Sequence, residues 1–462
     1  MKKSILVLVV LLIAFAPVYA QEVNKEAKKA EVKSHLKQHF KPYGFIRNYF
    51  TYDSRESISG TGDLYNYQPK DQNLNAYGDD LNATSTFRFL TLTTRVGLNI
   101  VDYKWRNTEF SGKIEADFYA GLSTKTNQTH SVSGTAQFRL RQAYVTLGWD
   151  SLKMGKDFAR VDLTIGQTWH PMAADLCDVI ALASGAPFGP FNRSPQVKMD
   201  ARLGKYVTLT AAGLWQMQYL STGPEGQSAE YMLYSKTPEA YLGLSFHDKG
   251  FLMRVGANVL SIQPRHLGKV VPIPGDTVTV TVKDRITTAS PFIYLQYKKG
   301  EFSIKAKSIF AEAGEHMNLN SGYGISKINP DGSYEYTPLR NSSSWISIVY
   351  GGKVGAQEDK HPQKLQGILF AGYIHNFGTK EALATKADGS IFGYFTPRPS
   401  NMNQMYRLSP TILWTIGKFQ LGCEYEITSV QYGKKLGTNG LAKADLHWVT
   451  NHRVQLMTKY NF

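Results

Sequence analysis

HRVQLMTKYNF, His452 to Phe462, ends the chain, and its alternation decides the fold. His452, Val454, Leu456, Thr458, Tyr460 and Phe462 form one row, and Arg453, Gln455, Met457, Lys459 and Asn461 the other. A strand sends successive side chains to opposite faces, so an apolar face rimmed by aromatics is backed by a charged one. An amphipathic edge strand of a soluble protein would show the same rows. A strand with hydrocarbon on one side and water on the other, closing against the first strand of a ring, also explains the aromatic ending.

The opposite end names a compartment. Lys2 and Lys3 precede an unbroken apolar run, Ile5 to Phe15, and Val18-Tyr19-Ala20 is a small-x-small cleavage site. The run is too short to cross a bilayer as a helix. Residues 1–20 therefore read as a signal peptide, with Gln21 starting the mature chain. No Cys follows that site, so no lipid anchor is expected.

Composition narrows the class without settling it. The chain carries 27 Tyr, 23 Phe and 7 Trp, yet its mean hydropathy is negative. After Phe15 no stretch approaches the roughly 20 apolar residues of a membrane helix. A barrel with a polar lumen and polar loops fits, as would an exported β-sandwich. Length suggests several domains, but no linker divides the chain. The formal charge of +15 falls to +13 once Lys2 and Lys3 leave. Export makes nucleic acid an improbable partner and leaves anionic lipid or anionic solutes. Cys177 and Cys423 are too few for a disulfide framework and read as unpaired thiols.

Residues 21–40 are charge-dense and free of Gly and Pro, either a short periplasmic helix or a solvated tail. From residue 41 to 462 the chain falls into sixteen alternating segments: 42–54, 84–102, 107–122, 135–149, 158–170, 194–203, 205–219, 237–247, 250–262, 287–299, 301–313, 341–353, 363–378, 403–416, 419–433 and 443–462. Short joins fall at Gly204-Lys205, Asp248-Lys249-Gly250, Lys299-Gly300 and Gly417-Lys418, all hairpin chemistry. Long ones span 55–83, 171–193, 220–236, 263–286, 314–340 and 379–402. The expected fold is an all-β, up-and-down antiparallel transmembrane barrel of about sixteen strands, with short periplasmic turns and long extracellular loops.

Charge in hydrocarbon costs about 2–4 kcal/mol, so the apolar rows should face lipid and the polar rows water. Phe138, Leu140 and Tyr144 alternate with Arg139, Arg141 and Ala143. Phe110, Ile114 and Phe118 alternate with Glu109, Lys113, Glu115 and Asp117. The lumen then presents Arg47, Arg95, Arg139, Arg141, Lys198, Arg202, Arg254, Lys305, Lys307, Arg407 and Arg453. Cationic rings in a wet pore favour anions. Arg139 and Arg141 would lie about 7 Å apart along one wall, a spacing that suits a small dianion. They could equally pair with Glu115, Asp117, Glu424 or Glu426 and stiffen the wall.

PMAADLCDVIALASGAPFGPFNR, Pro171 to Arg193, is too apolar for a free loop. Leu176, Val179, Ile180, Ala181 and Leu182 could form a short helix, and Ala186 to Phe191 a folded turn. A long loop that packs usually has a task. Folding into the barrel would narrow it and set Asp175 and Asp178 opposite the arginine wall, with Arg193 at the loop's end. A subunit contact outside the barrel is the other reading.

Enzyme signatures are absent: no P-loop, no His-Glu-x-x-His, no paired Cys and no Gly-x-Ser-x-Gly. Neither catalysis nor a metal or other cofactor is expected. No stretch before the first strand is long enough for a plug domain, which argues against an energy-coupled transporter.

Four short motifs stand out: Lys41-Pro42-Tyr43-Gly44-Phe45-Ile46-Arg47, Arg139-Leu140-Arg141-Gln142-Ala143-Tyr144, Gly166-Gln167-Thr168-Trp169 and Ser194-Pro195-Gln196. Together they resemble the DcaP-like porins and their relatives in the Bacteroidota. Tyr460 and Phe462 resemble the terminal signal read by the outer-membrane assembly machinery. The resemblance implies a trimeric sixteen-stranded outer-membrane porin passing small, preferably anionic solutes such as dicarboxylates. Lipid and lipopolysaccharide would surround it. A plugged barrel that binds through its extracellular loops is the alternative.

Overall fold

The computed structural model describes residues 38–60, 65–91, 93–119, 137–154, 157–181, 185–273, 275–355, 362–398 and 401–462. Residues 1–20, read above as a signal peptide, and residues 21–37, with the helix-or-tail question, lie outside them. Sixteen antiparallel strands close into one barrel. They are β1 (Phe40–Asp53), β2 (in two pieces, Thr86–Leu90 and Arg95–Trp105), β3 (Thr108–Tyr119), β4 (Gln137–Met154), β5 (Asp157–Trp169), β6 (Arg193–Leu203), β7 (Val207–Leu214) and β8 (Glu239–Asp248). After them come β9 (Phe251–Ile262), β10 (Ile286–Lys299), β11 (Phe302–Glu312), β12 (Tyr334–Val354), β13 (Gln363–Thr379), β14 (Met402–Ile416), β15 (Phe419–Tyr432) and β16 (His447–Asn461). Each pairs with its neighbours in sequence. β1 closes the ring on β16, in register from Phe45↔Asn461 to Asp53↔Arg453. Closure leaves no strand edge unpaired, which a bilayer core requires.

Alternation sets the faces as the terminal stretch implied. Trp448, Val454, Leu456 and Tyr460 of β16 are exposed outward, and Val449, Asn451, Arg453, Gln455 and Met457 are buried inward. Ile114, Phe138, Leu140, Leu242 and Ile412 continue the outward belt on other strands. The short joins lie at one end of the barrel and the long loops at the other, because every second connection returns to the same side. Gly300 and Gly417 adopt φ of 56° and 55°, a region an L side chain resists, so glycine fits these tight turns. After β16 the Phe462 amide donates to the Gly44 carbonyl at 3.1 Å.

One row departs from the expected parity. Gln142 pairs with Glu115 but Leu140 pairs with Ala116, so Arg141 is an extra residue in β4. Such a bulge moves every later side chain to the other face. Tyr144 consequently points into the barrel, beside Gln142, while Val145 is exposed outward. Assigning Tyr144 to the lipid row was wrong for that reason.

Candidate functional site

The loop between β5 and β6 folds into the barrel and is held from many sides. Arg254 of β9 pairs with Asp175 at 2.5 Å, and Lys305 of β11 pairs with Asp178 at 2.8 Å. Lys307 donates to the Met172 carbonyl, and Tyr49 of β1 to that of Ile180 at 2.6 Å. The Ile180 amide donates to Glu424 of β15 at 3.0 Å, and the Asp178 amide to Ser347 of β12 at 3.3 Å. These bonds explain why no helix forms over 176–181. Wall side chains take the backbone donors and acceptors that a helix would satisfy internally. The only helical turn in the loop's described residues is a 3-10 turn, Pro171–Ala173. The turn around Ala186 to Phe191 is present, the Phe188 amide donating to Gly185 at 2.9 Å. Leu182 lies outside the described residues.

The inner wall is not uniformly polar, contrary to the simple alternation. Phe292, Tyr294, Ile309, Trp345, Phe370, Ile374, Met405 and Val430 all point inward on β10–β15. They pack with Met172, Cys177 and Phe188 of the folded loop and with Met317 and Leu319 from the loop after β11. An apolar core thus occupies that side of the lumen. The loop after β1 enters as well: Arg407 of β14 donates to the Asn66 and Tyr67 carbonyls at 3.1 and 3.0 Å. Water is left the opposite side, where a cavity of about 770 Å³ is lined by Tyr144, Asp162, Trp169, Lys198, Arg202 and Arg254, among others.

Most of the cations singled out from sequence are spent on partners. Arg139 makes a two-pronged contact with Asp117, both bonds 2.9 Å. Arg141 bridges Glu115 at 2.8 Å and Asp117 at 2.6 Å, and is buried. Both arginines are thus paired with carboxylates of β3, the arrangement weighed against a dianion cradle. Lys198 pairs with Asp200, and Arg453 with Asp53 at 2.8 Å. Lys307 and Arg407 are also buried and anchor loops rather than face water. Asp175 meets Arg254 and Lys307, and Asp178 meets Lys305. Arg193 lies beneath Trp169, its guanidinium carbon 4.6 Å from the ring centre. Arg202 is exposed on the cavity wall.

A cationic cluster stands at the turn end of β1. The Phe45 ring has Arg47 at 4.9 Å, Arg95 at 4.9 Å and Lys459 at 4.5 Å from its centre. Lys113 lies 5.0 Å from the Tyr43 ring alongside. Arg47 donates to the Thr93 hydroxyl at 3.0 Å. Arg95 reaches Glu115 at 3.6 Å and Lys113 reaches it at 3.8 Å, but Arg141 already occupies that carboxylate. Among the described residues Lys459 makes no ion pair. Among the described residues the carboxylates that meet this group are Glu115, reached by Arg95, Lys113 and Arg141, and Asp117, reached by Arg141. Arg47 and Arg95 were legible in the polar row. Lys459 was passed over although it lies on the charged row of the terminal stretch, and nothing local marked Phe45 as the ring that gathers them.

No protein-family model and no curated protein matches the chain. Among solved structures, the outer membrane channel DcaP of Acinetobacter baumannii superposes with a TM-score of 0.59, 16% identity, and 92% and 97% of the two chains covered. OprB of Pseudomonas putida gives a TM-score of 0.45 at 10% identity, covering 94% and 97%. OmpT of Vibrio cholerae gives 0.45 at 10%, covering 92% and 97%. At such identities a likeness is one of fold, and there the resemblance read from the short motifs holds. The chain has the closed sixteen-stranded antiparallel barrel fold of the outer membrane channel DcaP.

Proposed function

We propose that the chain is an outer-membrane porin, a passive channel for small hydrophilic solutes that prefers anions such as dicarboxylates. The outward apolar belt and the closed ring support a bilayer setting. The observation that carries the anion preference is the cluster around Phe45, where Arg47, Arg95, Lys113 and Lys459 stand, partly exposed, beside the single carboxylate of Glu115. Fixed positive charge at a narrow passage raises the local concentration of anions and lowers that of cations. The long loops face outward from the cell and the turns face the periplasm. A trimer of such barrels, each with its own lumen and surrounded by lipid and lipopolysaccharide, is the assembly the resemblance implies.

Reversal potentials in a salt gradient across planar bilayers test the reading. Wild type should be anion-selective, and Arg47→Gln with Lys459→Gln should bring the channel toward no selectivity. Cation preference in the wild type would overturn it.

A second reading is favoured by the packing at the loop end. Arg398 reaches the side chains of both Asn318 and Asn320 and lies 4.0 Å from the Tyr67 ring centre, tying three loops together. A barrel closed there would bind through its surface. Absence of conductance in folded, bilayer-inserted protein would favour that alternative.

A further inference from the structure

His170, Glu239 and His316 meet in a buried cluster at the loop end of the barrel. His170 Nε2 lies 3.0 Å and His316 Nε2 2.8 Å from the same Glu239 oxygen, and all three side chains are excluded from solvent. Each comes from a different part of the chain. His170 directly follows β5 and roots the loop that folds into the barrel between β5 and β6, called the constriction loop below. Glu239 opens β8, and His316 sits in the turn Glu315–Met317 after β11.

The tautomer of His170 follows from its other nitrogen. The Met172 amide donates to Nδ1 at 3.1 Å, capping the turn that begins the constriction loop. An amide can donate only to an unprotonated Nδ1, so Nε2 carries the hydrogen given to Glu239. That bonding leaves His170 without a lone pair for a metal. The cluster is a hydrogen-bonded clasp.

The surroundings set its charge. Glu239 is buried with two imidazoles on one oxygen, and its other oxygen has no donor among the described residues. A buried carboxylate facing only neutral partners is costly, so one imidazole should carry the balancing proton. His170 cannot take it without losing the Met172 cap. His316 can. Burial alone would lower the His316 pKa, but the charge of Glu239 and its hydrogen bond outweigh that and hold it above the ordinary imidazole value. Glu315, in the same turn, adds to the effect and accepts from the Thr222 amide at 3.4 Å. Further out are Lys307, on the Met172 carbonyl, with Asp175 beyond it, and Arg398, on Asn318.

We propose that the His170–Glu239–His316 cluster is a proton-operated clasp that fixes the roots of the constriction loop and of the loop after β11, and that loosens in alkaline medium. The sign follows from the raised His316 pKa. Imidazolium paired with carboxylate is present below the ordinary value of about 6.5 and is lost as pH rises through the raised one. Above it Glu239 is a buried anion between two neutral rings. The Asn192 side chain donates to the His316 carbonyl at 2.8 Å and the His170 amide to the Asn192 carbonyl at 3.1 Å, so both loop roots loosen together.

The proposal rests on the pore reading, and the experiment separates the two. Conductance of wild type, His316→Gln and Glu239→Gln is recorded in planar bilayers from about pH 6 to about pH 9. Any conductance at all upholds the pore. The clasp requires that wild-type closures become several-fold more frequent on the alkaline side, and that both variants show the frequent closures at every pH. A wild type flat across the range, or variants that keep its pH response, overturns the clasp and leaves the pore intact. Should either variant fail to fold, amide exchange on wild type decides, after correction for intrinsic rates. Protection over 170–181 and 313–322 should fall at the alkaline end relative to the strands, and unchanged protection overturns the clasp.

Discussion

The backbone amide of Ile180 donates to a carboxylate oxygen of Glu424 across 3.0 Å, joining residues 244 positions apart in the chain. The same carboxylate accepts from the Thr411 hydroxyl at 2.6 Å. A single wall side chain of β15 thus holds the middle of the constriction loop and is itself held by the preceding strand, β14. Five further wall contacts, from Arg254, Lys305, Lys307, Tyr49 and Ser347, make the loop part of the wall.

Glu424→Ala should free that segment. The Ile180 amide would be left buried without an acceptor, a loss of about 1–3 kcal/mol. Single-channel conductance should rise, and the temperature at which the barrel loses its compact gel mobility should fall. Glu424→Gln, which keeps an acceptor oxygen, should recover most of both. Equal conductance for Glu424→Ala and wild type would show that the loop is held without this bond.

Arg139 and Arg141 should part company on substitution. Arg141 is buried between Glu115 and Asp117, so Arg141→Ala leaves buried carboxylates short of charge, a loss of up to about 3–5 kcal/mol. Arg139 is partly exposed on its Asp117 pair, and Arg139→Ala should cost far less. Both should reduce anion preference, but only Arg141→Ala should markedly lower thermal stability. Unfolding midpoints in detergent check this, and matching midpoints would count against the wall-stiffening role of Arg141.

Anion preference should fade as salt rises. The Debye length shrinks from about 10 Å at 0.1 M to about 3 Å at 1 M, so the field of the Phe45 cluster no longer spans the passage. Selectivity measured at a fixed concentration ratio should decline steadily between those limits. A selectivity independent of salt would point to a contact site instead of a field.

Gly44→Ala should impair closure of the ring. A Cβ there would lie 2.4 Å from the Phe462 ring and 2.6 Å from the Arg95 carbonyl oxygen. The ring can move, but the carbonyl belongs to the neighbouring strand. Adding Phe462→Ala should therefore rescue folding only in part. Refolding yield into detergent or vesicles is the measurement, and a wild-type yield for Gly44→Ala would show the closure to be looser than this geometry.

Strand positions, hairpin joins and the lipid face were legible because their causes are local. A two-residue period needs only the chain itself, and Gly204, Gly250, Gly300 and Gly417 announce their turns. His452 to Phe462 gave the outward row of β16 correctly to its last residue. What failed had non-local causes. Tyr144 changed face because Arg141 bulges against Glu115 of another strand. The helix expected near Ile180 yielded to wall side chains far away in sequence.

Hydrocarbon on one side and water on the other is a condition each strand meets residue by residue, so the sequence by itself determined a closed sheet with an apolar exterior. Which half of its interior is filled, which arginines are neutralised and where free positive charge collects were decided only by the tertiary structure. Those outcomes depend on pairs such as Arg254 with Asp175, Arg407 with Asn66 and Lys459 with Phe45, brought together by ring closure and loop folding rather than by any spacing along the chain.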